Sequence, residues 1–188
     1  MPRLYEINVS FVLKFIMDLY KNKFKIESAR LKDWDYAAPG WYYVTICTKD
    51  MKCWFGEVKN GKMNLNEFGI IVKNIWNDIP KHYNAAELDY NVIMPNHVHG
   101  IIIINDVETG HAPSLQMKRP TLGNIIGSFK SAVTKSAHQI GYPHFKWQAR
   151  FYDHIIRNEK DLYRIRTYLQ NNPLKWEVDE YYSNINDN

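Results

Sequence analysis

The eight residues HVHGIIII at positions 97–104 constrain the fold more than any other part of the chain. A valine, a glycine and four consecutive isoleucines leave no polar alternation. A strand here is apolar on both faces, and both faces must be covered. The chain therefore needs a sheet with this strand inside it and packing on either side. Alternation places His97, His99, Ile101 and Ile103 on one face and Val98, Gly100, Ile102 and Ile104 on the other. Two imidazoles then project side by side from Cα atoms roughly 6.5–7 Å apart, close enough for their nitrogens to converge on one ion. Gly100 removes a side chain beside them, where a helix or ligand could approach closely. The pair is open to two readings: polar residues at a strand end bonded to backbone or water, or half of a metal site. A third ligand must then come from elsewhere, and His111, His138, His144 and His154 are candidates on residue type. Zinc would want further nitrogen or sulfur, whereas magnesium or manganese accepts an amide or carboxylate oxygen.

The rest of the chain supplies the layers. WYYVTICT (41–48) follows an Ala-Pro-Gly turn and is rich in β-branched and aromatic residues, so it reads as a strand. CWFGEVKNGKMNLN reads as a hairpin turning at Asn60-Gly61. From Asn66 to about Lys81, Phe68, Ile71, Ile75 and Trp76 recur at helical spacing, with Pro80 closing the helix. AELDYNVIMPNHVHGIIIIND holds two strands split near Met94-Pro95, and 106–120 reads as a loop. Leu122, Ile125, Ile126, Phe129 and Val133 mark an amphipathic helix ending at Gly141, with Lys130 and Lys135 outside the apolar face. HFKWQARFYDHIIR contains a short strand. The last helix has Asn158 as N-cap, acids in its first turn, the stripe Leu162, Ile165 and Leu169, and Pro173 as its stop. The pattern predicts an α+β sandwich: a mainly antiparallel sheet of about five strands with packed helices.

A length of 188 residues suits one domain with a real core. Cys47 and Cys53 have neither disulfide-framework nor zinc-knuckle spacing, and read as reduced thiols of a cytoplasmic protein. The apolar run 7–20 is interrupted by Lys14 and Asp18, too short and too charged to span a bilayer, and no cleavage pattern follows it. Charge is unevenly placed. Residues 118–175 carry +8, residues 1–117 sum to zero, and 177–188 hold four acids and no base. That asymmetry points to a polyanion surface.

Tyr168 and Asn172 are four apart, on one side of the last helix, with Arg164 a turn earlier on the same side. Asn172 precedes a proline, which biases it out of the helical region and leaves its amide at a fraying end. A tyrosine becomes nucleophilic only when a cation or base lowers its pKa of about 10. Tyr152, beside Asp153 and His154, is a rival nucleophile without a partner at helical spacing. Alone, the Tyr168–Asn172 pair also reads as a packed ring and a helix cap.

MPNHVHGIIII, followed some seventy residues on by WQARFYDHIIRNEKDLYRIRTYLQNNPLKW and preceded by RLKDWDYAAPGWYYVTICTKDMKCWFGEV, resembles the HUH-type tyrosine transposases. Within them it is similar to the REP-associated tyrosine transposase branch of the insertion-sequence transposases, over residues 30–177. The resemblance implies an α/β sandwich of the HUH, ferredoxin-like type. It implies that His97 and His99 are metal ligands, that Asn172 completes the site where relatives carry glutamine, and that Tyr168 is the nucleophile. It implies Mg²⁺ or Mn²⁺ as cofactor, no nucleotide, and cleavage and rejoining of single-stranded hairpin DNA through a 5′-phosphotyrosine link. Lys118, Arg119, Lys130, Arg150, Arg157 and Arg164 would grip the backbone, with Trp147 and Phe151 for stacking. Residues 1–29 form an extension of no assigned role and 178–188 an acidic tail; the protein would act as a monomer or a homodimer. The alternatives are a non-catalytic module binding single-stranded or hairpin DNA, and a zinc hydrolase.

Overall fold

The computed structural model describes residues 34–106, 120–178 and 181–182. The chain divides between Trp34 and Asp35, and every element described belongs to the second unit. The extension at 1–29 and most of the acidic tail lie outside the described residues.

Four strands form one antiparallel sheet: β1 (Gly40–Cys47), β4 (Ala86–Ile93), β5 (His97–Ile104) and β6 (Tyr152–Ile156). Their spatial order is β4-β5-β1-β6. Numbered in chain order among themselves they run 4-1-3-2, the ferredoxin-like βαββαβ arrangement. β5 is internal, as its isoleucines require, pairing with β1 from Gly40 opposite Ile104 to Cys47 opposite His97. The sheet has four strands where about five are expected, because β2 (Gly56–Lys59) and β3 (Lys62–Leu65) form a separate ribbon. Both are four residues long, and their half-buried and exposed residues alternate, so the ribbon has one apolar side to dock. Asn60 and Gly61 turn it with φ of 52° and 68°, the left-handed pair that a two-residue hairpin loop needs.

Two helices cover one face of the main sheet. α1 (Glu67–Asn77) begins at Asn66, whose Oδ1 accepts the Gly69 N–H at 2.8 Å. The single helix expected to close at Pro80 breaks at Asp78, and Pro80 sits in the first turn of a second short helix, α2 (Ile79–His82). No i−4 carbonyl awaits an N–H there, so proline is tolerated. α3 (Leu122–Gln139) starts with a reciprocal capping box between Thr121 and Asn124. Phe68, Val72 and Trp76 from α1 and Ile125, Phe129 and Val133 from α3 meet Tyr42, Val44, Ile46, Val98 and Ile102 in the main core. Each such side chain, fully buried, contributes roughly 1.5–3 kcal/mol. The close approach expected at Gly100 is made by Trp76: a Cβ there would lie 2.2 Å from the indole Cζ2.

The opposite face takes α4 (Glu159–Asn171), capped by Asn158 Oδ1 on the Asp161 N–H at 2.9 Å. Ile165 and Leu169 pack on Tyr43, Ile101 and Ile156, with Leu162 and Tyr168 at the margin. A 3-10 turn, Pro173–Val178, continues from it. Among the described residues no helix is long and apolar enough to cross a membrane. Cys47 is buried and Cys53 half-buried, both as thiols.

Candidate active site

The backbone fixes the histidine pair before any side chain does. β4 and β5 are joined through Pro95-Asn96, closed by the Met94 N–H on the His97 carbonyl at 2.8 Å. The Pro95 carbonyl accepts the N–H groups of Trp54 (2.8 Å) and Phe55 (3.0 Å), and the Asn96 carbonyl accepts that of Thr48 (2.9 Å). The turn presenting His97 is thereby bolted to the chain that leaves β1.

His97 and His99 are both fully buried, and their ring centroids lie 4.4 Å apart. Nδ1 of His97 is 2.8 Å from Oδ1 of Asn96. Its other nitrogen, Nε2, is buried with no hydrogen-bond partner. Nδ1 of His99 meets the Thr45 hydroxyl at 2.8 Å and the Tyr43 hydroxyl at 2.9 Å, and Thr45 donates to Tyr43 at 3.1 Å. Thr45 faces His99 directly across the β1–β5 ladder. Burial, with the neighbouring His99 second, holds His97 well below its ordinary pKa; burial brings His99 down to about 3. Neutral imidazoles, each with one nitrogen engaged by an outer partner, are what a divalent ion requires of histidine.

α4 brings the tyrosine. The Tyr168 hydroxyl lies 3.5 Å from Nε2 of His99, with ring centroids 5.5 Å apart. Trp176, in the 3-10 turn, stands 6.1 Å from His97 between ring centroids. Asn172, 1% exposed, falls four residues after Tyr168 and four before Trp176, so helical spacing puts it on their side of the chain. Its backbone departs from expectation: φ −58° and ψ −46° are helical. Pro173 opens the 3-10 turn, and the Asn172 carbonyl accepts the Lys175 N–H at 3.1 Å, so helical geometry outweighs the bias of a residue before proline. The amide is therefore held within a turn rather than at a fraying end. Tyr181 closes the site, its ring 4.6 Å from that of His97 and 5.9 Å from that of His99.

Tyr152 lies in the same cross-strand row, opposite Thr45. Burial, then the carboxylates of Asp153 and Asp161, push its hydroxyl up to about 12, with Arg164 pulling the other way. That is the wrong direction for a nucleophile. His154 bonds Asp161 at 2.7 Å, and Arg164 takes the other oxygen of that carboxylate at 2.6 Å. His138 and His144 are exposed, and among the described residues no three His, Cys, Asp or Glu side chains cluster to hold a metal. His111, Lys118 and Arg119 lie outside the described residues.

Two expected DNA contacts are engaged within the fold. The Lys130 ammonium donates to the carbonyls of Gln148 (2.5 Å) and Ala149 (3.3 Å), and burial lowers its pKa. Trp147 packs among Phe55, Phe129 and Phe145 and donates its indole N–H to the Lys130 carbonyl at 3.2 Å, so its ring is no free stacking platform. Phe151 likewise packs at the core margin. Arg150, Arg157 and Arg164 are exposed. Asn96, Thr45 and Tyr43 were not among the expected site residues. Thr45 carried a signal, a polar residue on the histidine face of an otherwise apolar strand.

The fold is that of a REP-associated tyrosine transposase: a solved structure of such a protein bound to a REP hairpin aligns with a TM-score of 0.55 at 18% identity, covering 80% of this chain and 74% of that one. No family model matches. A protein of Haemophilus influenzae, described as uncharacterized, is 41% identical over 165 residues, spanning 82% of this chain and 92% of its own length. The chain belongs to one family with that protein.

Proposed function

We propose that this protein is a transposase-type enzyme that cuts and rejoins single-stranded hairpin DNA, with Tyr168 as nucleophile. The carrying observation is the Tyr168 hydroxyl held 3.5 Å from Nε2 of His99, beside a second buried imidazole whose Nε2 has no partner. The fold supports the reading, and the hairpin bound by the REP-associated tyrosine transposase of the same fold supports the substrate class.

His97, His99 and Asn172 would hold a divalent ion, Mg²⁺ or Mn²⁺. The fit rests on the donors, two neutral imidazoles and an amide oxygen; Cys47 stands opposite His97 on the ladder, but among the described residues no three His, Cys, Asp or Glu side chains cluster as a zinc site would need. Such an ion, when bound, polarises the scissile phosphate and offsets charge on its oxygens. Tyr168 Oη forms a bond to phosphorus as the bond to the 3′ oxygen breaks. The phenol loses a proton and the departing 3′ oxygen gains one. The 5′ side stays on Tyr168 as a phosphotyrosine, and a 3′-hydroxyl later reverses the step, so no nucleotide is consumed. Tyr152, with its pKa pushed up to about 12, stays protonated and stands aside. Arg150, Arg157 and Arg164 are the described cations that would meet DNA phosphates, joined by Lys118 and Arg119.

The test is covalent capture. Labelled single-stranded hairpin DNA with Mn²⁺ is run on denaturing gels against wild type, Tyr168→Phe and His97→Ala. A protein–DNA band in wild type that both variants lose supports the assignment. A band surviving Tyr168→Phe moves the nucleophile, and hairpin binding with no band under any ion leaves a binding module.

A further inference from the structure

Asn96, in the turn between β4 and β5, is fully buried, and the proposed chemistry does not use it. Its Nδ2 donates to the carbonyl of Met51 at 2.9 Å and to that of Tyr181 at 2.6 Å. Its Oδ1 lies 2.8 Å from Nδ1 of His97. An amide NH₂ only donates and an amide oxygen only accepts, so two carbonyl partners fix which way the group faces. Turning it over would set an oxygen against two carbonyl oxygens and a donor against His97. Oδ1 therefore faces the imidazole, and the proton between them belongs to Nδ1. A second proton on Nε2 would be a buried donor with no acceptor in reach. The remaining nitrogen is left with its lone pair toward the site.

We infer that Asn96 is a positioning residue for the histidine pair: it locks His97 in the Nδ1–H tautomer, and it takes its own orientation from the segment that carries Tyr181. Outer partners of this kind set the tautomer and ring orientation of metal-binding histidines. Here the outer partner is shared. One amide joins His97 to the backbone of Tyr181, whose ring also lies against both imidazoles. The segment that covers the pair thus helps to aim it.

The geometry stands without a metal; its consequence for metal affinity rests on the proposed ligand role of His97. The experiment reads both separately. Imidazole ¹⁵N spectra of the full chain in chelator report the His97 tautomer, and Mn²⁺ titration followed by electron paramagnetic resonance reports affinity. Wild type should show the Nδ1–H form alone. Asn96→Ala should show mixed tautomers and roughly 10- to 100-fold weaker Mn²⁺ binding. Asn96→Asp keeps an acceptor for Nδ1 but sets an oxygen against the carbonyls of Met51 and Tyr181, so it should keep the single tautomer while loosening the Tyr181 segment, read as a lower melting temperature. An Nε2–H form in wild type overturns the inference even if the variants fail to fold, and so does Asn96→Ala with wild-type tautomer and affinity. A wild type with the Nδ1–H form but no Mn²⁺ binding supports the positioning role and removes the metal-ligand reading.

Discussion

His97 and His99 stay neutral because no water reaches them, and that has a sign in pH. In the unfolded chain each titrates near 6.5. Above that value neither state binds the proton and the pair leaves stability unchanged. As pH falls below 6.5 the unfolded chain takes up protons that the folded one refuses, so stability drops; for His99 the fall continues to about 3. In chelator, the wild-type melting temperature should fall more steeply below pH 6.5 than that of His99→Leu. Each histidine contributes up to about 1.4 kcal/mol per pH unit, and equal slopes would mean that His99 protonates in the folded protein. The pair itself was legible in the sequence because strand alternation is rigid. The partners of Nδ1 were less so: Thr45 is 54 residues from His99, and only the β1–β5 register brings them together.

The elements were legible where one signal governed each. Asn158 caps α4 and Asn60-Gly61 turns the hairpin as their residue types dictate. Prolines misled. Pro80 and Pro173 read as stops, yet both open a further helical turn, because a proline at the first positions of a helix costs no hydrogen bond. That difference keeps Asn172 on the buried side of α4. Gly100 ties two elements together, and adding a methyl there drives it into the Trp76 ring. Gly100→Ala should therefore cost about 1–3 kcal/mol through overpacking, read as a melting temperature lowered by roughly 2–4 °C per kcal/mol. An unchanged melting temperature would show that α1 moves away freely. Trp76→Phe in the same background should recover part of the loss.

Over the whole molecule the basic half divides into cations that face solvent and cations the fold consumes. Sequence charge could not separate them, because Lys130 differs from Arg157 only in what the folded chain places within its reach. Arg157→Ala should weaken hairpin binding and flatten the slope of log affinity against log salt by roughly one unit. Lys130→Ala should leave that slope alone and lower the melting temperature, since its ammonium holds the carbonyls of Gln148 and Ala149. The reverse pattern would reassign both. The β2–β3 ribbon, meanwhile, reaches well beyond its own sheet: a Cβ on Gly61 would lie 2.6 Å from Cδ2 of Leu174, in the turn directly after α4. Hairpin tips are ordinarily where a domain absorbs inserted or deleted residues without harm. Here the tip meets Leu174 in the turn that follows the tyrosine helix, so a one-residue change in loop length should disturb that turn, and length drift at this hairpin is a route to a chain that folds with Tyr168 displaced from His99.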